Sequence, residues 1–169
     1  MNNTIIQLWE QLHDLFDTND GSLPDIELNS LTADQVENIY LYLRLNSKLI
    51  SHSSYFWSFI TDEEILVDSV ENAASLVVND EAECFHIVIG GLCFGGKSIP
   101  DLGVFISRDS ICLDYRMGQE WGSTELGALF ILFSRIREIA PLVEIEYLSS
   151  YSKIREQFKS ALTKYWDMV

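Results

Sequence analysis

Lysine and arginine are missing from two long stretches of this chain. Neither Met1–Leu43 nor Leu49–Gly96 contains one, although each carries eight carboxylates. Over all 169 residues, 26 acidic side chains stand against 11 basic ones, a formal net charge of −15. Ser123–Val169 is balanced, with six residues of each sign, so the whole excess lies in the first 122 residues. Such a chain repels nucleic acid and anionic membranes and attracts basic partners at rates that fall with salt. Solubility alone is the plainer reading of the same charge. Cysteine is also scarce: Cys84, Cys93 and Cys112 form no C-x-x-C pair, and their placement in or beside strand-like runs predicts buried free thiols in a reducing cytoplasm. The N-terminus lacks a basic start followed by an apolar block, so no secretory signal is expected. The longest apolar helical run, Leu126–Phe133, falls far short of the roughly 20 residues a bilayer span takes. No repeat or Pro/Gly linker divides the chain, and its length suits one domain with a core that needs no staples.

What is present centres on Cys84–Met117, CFHIVIGGLCFGGKSIPDLGVFISRDSICLDYRM. Cys84–Ile89 is apolar apart from His86 and reads as a central strand covered on both faces. Leu102–Ser107 and Ser110–Met117 flank Arg108-Asp109 as a hairpin. Alternation sends Ile111, Leu113, Tyr115 and Met117 to one face, and Cys112, Asp114 and Arg116 to the other. Further strands are predicted at Ser54–Phe59, Ile65–Val70, Ala74–Val78 and Leu142–Tyr147. With no helix long enough to cross between most of them, the pairing should be antiparallel.

Helical spacing marks four helices. The first starts at Asn3-Thr4 and aligns Ile5, Leu8, Trp9, Leu12, Leu15 and Phe16. The second, about Ala33–Leu45, opens with a Thr32/Gln35 capping box and a Leu31/Val36 staple. The third begins at Ser123 and ends near Ala140 before Pro141; being apolar nearly all round, it should lie buried. The last, about Ser152–Trp166, aligns Ile154, Phe158, Ala161, Leu162 and Tyr165. The expected architecture is α+β and single-domain: a mostly antiparallel sheet of about six or seven strands, two N-terminal helices, a buried helix and a C-terminal helix packed on it.

One apparent catalytic motif stands inside the central stretch. Gly91–Ser98, GLCFGGKS, matches G-x-x-x-x-G-K-[ST] and follows a strand. Phosphate binding also needs a helix starting at Lys97-Ser98 and a crossover to a parallel strand. Ile99-Pro100-Asp101-Leu102-Gly103 leaves no room for either, so the loop reads as a glycine-rich bend or bulge. Asp20, Gly21 and Glu27 fall at calcium-loop positions, but the first position would be Phe16, which cannot ligate. Cys84 and His86 share a strand face without two further zinc ligands, and His86 reads as a hydrogen-bonded core histidine. No cofactor, no metal and no catalytic residue is expected.

The stretch Asp20–Leu43, DGSLPDIELNSLTADQVENIYLYL, resembles immunity proteins of bacterial polymorphic toxin systems, in particular the CdiI proteins of contact-dependent growth inhibition. The shared part is the turn, the L-P-D-I segment and the capped I-Y-x-x-L helix. The resemblance implies a cytosolic, non-enzymatic protein that binds and neutralises the toxic C-terminal domain of a CdiA effector, typically a nuclease with a basic groove. One mode within that family is β-augmentation, a toxin hairpin added to the immunity protein's sheet. The acids and the tryptophan near strand ends form the candidate partner-binding surface: Asp62, Glu63, Asp68, Glu71, Asp101, Asp109, Asp114, Glu120 and Trp121. A small nucleotide-binding enzyme using Gly91–Ser98, or an acidic scaffold with no toxin, are the alternatives.

Overall fold

Alternating apolar and polar side chains decide which face of each strand can meet a helix, and this chain resolves them into two layers. The computed structural model describes residues 2–168. In chain order it has helix α1 (Asn2–Leu12) running into a 3-10 turn at His13–Leu15, strand β1 (Asp25–Asn29), helix α2 (Ala33–Leu45), and strands β2 (Lys48–Leu49), β3 (Tyr55–Ser58) and β4 (Glu63–Leu66). A second 3-10 turn (Val67–Ser69) and helix α3 (Ala73–Val78) follow, then β5 (Phe85–Gly90), β6 (Cys93–Phe94), β7 (Lys97–Ser98), β8 (Leu102–Ile106) and β9 (Ile111–Tyr115). Helix α4 (Ser123–Ile139), β10 (Glu144–Tyr147) and helix α5 (Ser152–Trp166) close the chain. None of these helices is long and apolar enough to cross a membrane.

Six strands form one antiparallel sheet in the order β10-β1-β9-β8-β5-β2, while β3-β4 and β6-β7 are separate two-stranded ribbons. The fold is α+β, as composition and periodicity predict. The inward face carries Ile26 and Leu28, Phe85, Ile87 and Ile89, Leu102, Val104 and Ile106, Ile111, Leu113 and Tyr115, and Ile145 and Tyr147, all buried. Helix α4, apolar on most sides, buries Leu126, Leu129, Phe130, Phe133 and Ile136 in the same core. The stripes of α1 and α5 join it: Phe158 lies edge-on to Phe130 and beside Tyr147. Tyr115 fixes the chain after α1 to the sheet, stacking on Phe16 at 5.0 Å and donating its hydroxyl to the Leu15 carbonyl at 2.7 Å.

Helix α2 has the predicted bounds and the predicted cap. Thr32 Oγ1 accepts from the Gln35 amide at 3.3 Å, and Gln35 Oε1 accepts from the Thr32 amide at 3.0 Å. The hairpin at Arg108-Asp109 and the bounds of α5 also match expectation.

Other expectations are corrected. Ala74–Val78 is helix, not strand: Asn72 caps it through the Ser75 amide, and Ala73, Ala74 and Val77 bury one helical face. The strand expected over Ile65–Val70 starts earlier, at Glu63, and gives way to the 3-10 turn after Leu66. Strand β1, absent from the sequence reading, fits between β9 and β10. Gly91–Ser98 is neither bend nor bulge but a tight hairpin, β6-β7, turning on Gly95 and Gly96 with φ of 60° and 76°, values that suit glycine. Gly122, not Ser123, occupies the cap position of α4. Strand β5 is not covered on both faces, since His86 is exposed and only the two-residue β2 lies beyond it. The cysteines are not buried: Cys84, just before β5, and Cys93 on β6 are exposed, and Cys112 on an outward position of β9 is half-buried.

Removing the Tyr115 hydroxyl leaves the Leu15 carbonyl without that donor. Tyr115→Phe should therefore lower stability by about 1–3 kcal/mol, read as a shift in urea midpoint at unchanged slope.

Candidate functional site

Helices cover one face of the six-stranded sheet. Among the described residues none covers the other. Its outward positions carry Glu144 and Glu146 on β10, Asp25 and Glu27 on β1, Cys112 and Asp114 on β9, Phe105 on β8, and His86 and Val88 on β5, all exposed or half-exposed. Register sets Glu27 opposite Glu146 on one side and Cys112 on the other, and sets Asp25 opposite Asp114. Like charges directly opposed across strands repel, so this face concentrates negative potential.

Two glycines seat the carboxylates. Gly103 on β8 lies opposite Asp114, and a Cβ there would come within 2.1 Å of Asp114 Oδ2. With no side chain in the way, Asp114 lies across β8 and its Oδ2 reaches His86 Nε2 on β5 at 2.6 Å. Likewise a Cβ on Gly90 would stand 2.3 Å from Asp101 Oδ1, so Asp101 lies over the end of β5. Between them opens a cleft of about 720 Å³, lined by apolar Leu23, Val88, Ile99 and Pro100 and by Asp101, Asp114, Glu120 and Glu125, together with His86 and Arg116.

The charge is felt locally. Burial, and then the charge of Asp114, raises the Asp25 carboxyl above its ordinary value of 3.8. Burial, and then the charge of Asp25, pushes the Cys112 thiol up to about 12. Nucleophilic and metal-binding cysteines work as thiolates, and Cys112 is held in the neutral form.

Of the nine sequence-predicted residues, Asp101, Asp114 and Glu120 meet in the cleft. Trp121 follows Glu120 but is only 4% exposed. It packs 4.9 Å from Phe16 and 5.0 Å from Tyr115, with Nε1 donating to the Arg116 carbonyl at 2.9 Å, and so braces the cleft wall from inside. The other five are dispersed. Asp62 and Glu63 stand at the β3-β4 turn, and Asp68 pairs with Arg44 at 2.7 Å. Glu71 is exposed after the second 3-10 turn, and Asp109 sits in the β8-β9 turn, where its carbonyl accepts from the Leu31 amide. Asp25, Glu27, Glu125, Glu144 and Glu146 were missed by sequence reasoning. The alternation in Asp25–Asn29, DIELN, is the signal that could have placed the first two.

His86 is not the core histidine expected but an exposed one, paired with Asp114. Lys97 and Ser98 lie in the β6-β7 hairpin, so no helix N-terminus begins at Lys97. Among the described residues the one group of three His, Cys, Asp or Glu side chains close enough to share a metal ion is the exposed set His13, Asp14 and Asp17, outside the cleft. No family model, curated protein or solved structure matches the chain.

Two outcomes follow from this geometry. In Gly103→Ala the new methyl group takes the seat of the Asp114 carboxylate, so the His86 imidazole NMR signals should move as they do in Asp114→Ala. The second concerns pH. Because the folded-state Asp25 titrates above 3.8, the folded protein holds its proton more tightly than the unfolded chain, and stability falls as pH rises through that interval. Asp25→Asn removes this loss. The variant should be more stable than the parent at neutral pH, with the gain vanishing in acid, as read from urea midpoints.

Proposed function

We propose that this chain is a cytoplasmic immunity protein. It binds a basic toxin domain, a nuclease of the CdiA type, and neutralises it by covering the groove that would receive a polyanion. The observation that carries the reading is the carboxylate array on the open sheet face, in which, among the described residues, Asp114 alone has a side-chain partner of basic type, His86. Asp25 and Asp114 oppose each other, Glu27 opposes Glu146, and the cleft beside them adds Asp101, Glu120 and Glu125 against Arg116 and His86. Burial raises the Asp25 carboxyl first and the charge of Asp114 second, and a cationic partner relieves that second, repulsive part. Binding that discharges such repulsion gains affinity from the partner's charge and speed from long-range attraction.

The net charge of −15 and the resemblance of Asp20–Leu43 to immunity proteins support the same reading. The sheet also offers an edge for β-augmentation. Leu148 donates to the Asp25 carbonyl, which fixes the phase of the β1-β10 ladder, so the main-chain groups of Ile145 and Tyr147 point away from β1. An added strand could use them.

Co-expression with the toxin domain encoded beside this chain tests the proposal: growth should be rescued. The triple variant Asp101→Asn, Asp114→Asn, Glu120→Gln should weaken toxin binding at least about tenfold and flatten its salt dependence, as read by calorimetry. Unchanged affinity would remove the electrostatic reading.

A further inference from the structure

A second surface, separate from the cleft, lies on the β3-β4 ribbon. The inward side chains of β3, Phe56 and Ser58, are buried, with Phe56 packed 5.9 Å from Phe85. Tyr55 and Trp57 face out, 51% and 37% exposed, and Phe59, the residue just after the strand, is 50% exposed. A buried core is the ordinary place for three aromatic rings in five residues, and these rings are not in it.

Carboxylates flank the row on both sides. Across the ribbon Trp57 is opposed by Glu64. On the other edge, residues 81–83 run antiparallel to β3: Ser58 bridges Ala82, the Phe59 amide donates to the Glu81 carbonyl at 2.8 Å, and the Glu83 amide donates to the Trp57 carbonyl at 2.9 Å. That register sets Glu83 beside Trp57 and Glu81 beside Phe59. Leu49–Gly96 contains no lysine or arginine to neutralise them. Arg108, from the β8-β9 turn, is already paired with Asp80 at 2.6 Å.

We propose that the Tyr55-Trp57-Phe59 row with its flanking Glu64, Glu81 and Glu83 docks an extended peptide segment bearing arginine at every second position. Successive outward residues of a strand are roughly 7 Å apart, the repeat of an extended partner and not of a helix. A guanidinium lying on a ring face gains cation–π attraction, and its planar fork can donate to a carboxylate at the ring's edge. The same acids repel an anionic membrane, and a chain of net charge −15 repels its own copies. The inference needs neither the cleft nor the identity of the partner as a toxin.

The test is calorimetric titration of the full chain with two short synthetic peptides of equal composition. One alternates arginine with threonine, and the other carries its arginines in one block. The alternating peptide should bind more tightly. Trp57→Ala should weaken it at least about tenfold, Trp57→Phe should restore most of the loss, and Glu64→Gln with Glu83→Gln should weaken it and reduce its salt dependence. The cleft variant Asp101→Asn, Glu120→Gln should bind it as the parent does. Equal affinity for the two peptides, indifference to Trp57→Ala, or loss only in the cleft variant would each overturn the proposal. So would self-association abolished by Trp57→Ala in a chain that ignores both peptides. Failure of toxin rescue with these peptide results intact would count against the immunity reading alone.

Discussion

Helix α4 packed against one face of the sheet is the interaction on which the other features rest. Its Leu126, Leu129, Phe130, Phe133 and Ile136 join the inward side chains of the central strands in one core with Phe16 and Phe158. A sheet covered on one face must present its alternate residues to water. In this chain five of the nine outward side chains named above are carboxylates, so the core's geometry aims that charge. A group of carboxylates is thereby gathered on an open surface, where it can act on something else.

The glycines of the central stretch show how local chemistry and global shape meet. In a strand a glycine ordinarily weakens packing and invites a bulge. Gly90 and Gly103 instead make room for the Asp101 and Asp114 carboxylates to lie across the sheet, and Asp114 thereby links β9 to His86 on β5 over an intervening strand. The result is a surface in which carboxylates are held in place by backbone register more than by counter-ions.

Much of this was legible from the chain itself. The capping box at Thr32 and Gln35, the polar joint at Arg108-Asp109, and the stripe of α5 are local signals that tertiary packing had no reason to override. The failures share a cause. Ala73–Val78 is short, apolar and rich in valine, so its period was ambiguous, and the deciding bond from Asn72 is a cap that a strand reading does not look for. Strand β1 is five residues long and stands between Pro24 and Ser30; its order comes from two neighbours distant in sequence. The cleft was half visible. Asp101 and Asp114 belong to the central stretch and Glu120 follows it closely, whereas Asp25 and Glu125 reach the same region through pairing and chain reversal that periodicity does not reveal. Trp121 looked like a surface anchor because its neighbours are polar, yet its ring is enclosed by Phe16 and Tyr115.

The placement of β1 also governs how the chain can assemble. Ile26 faces Leu113 on one side and Tyr147 on the other, so a segment made early during synthesis waits for partners that leave the ribosome much later. Contacts of such long sequence separation slow folding. Until β9 and β10 emerge, the nascent N-terminal third carries an unpaired strand whose Ile26 and Leu28 have no sheet to join, a state that a chaperone or a protease can recognise.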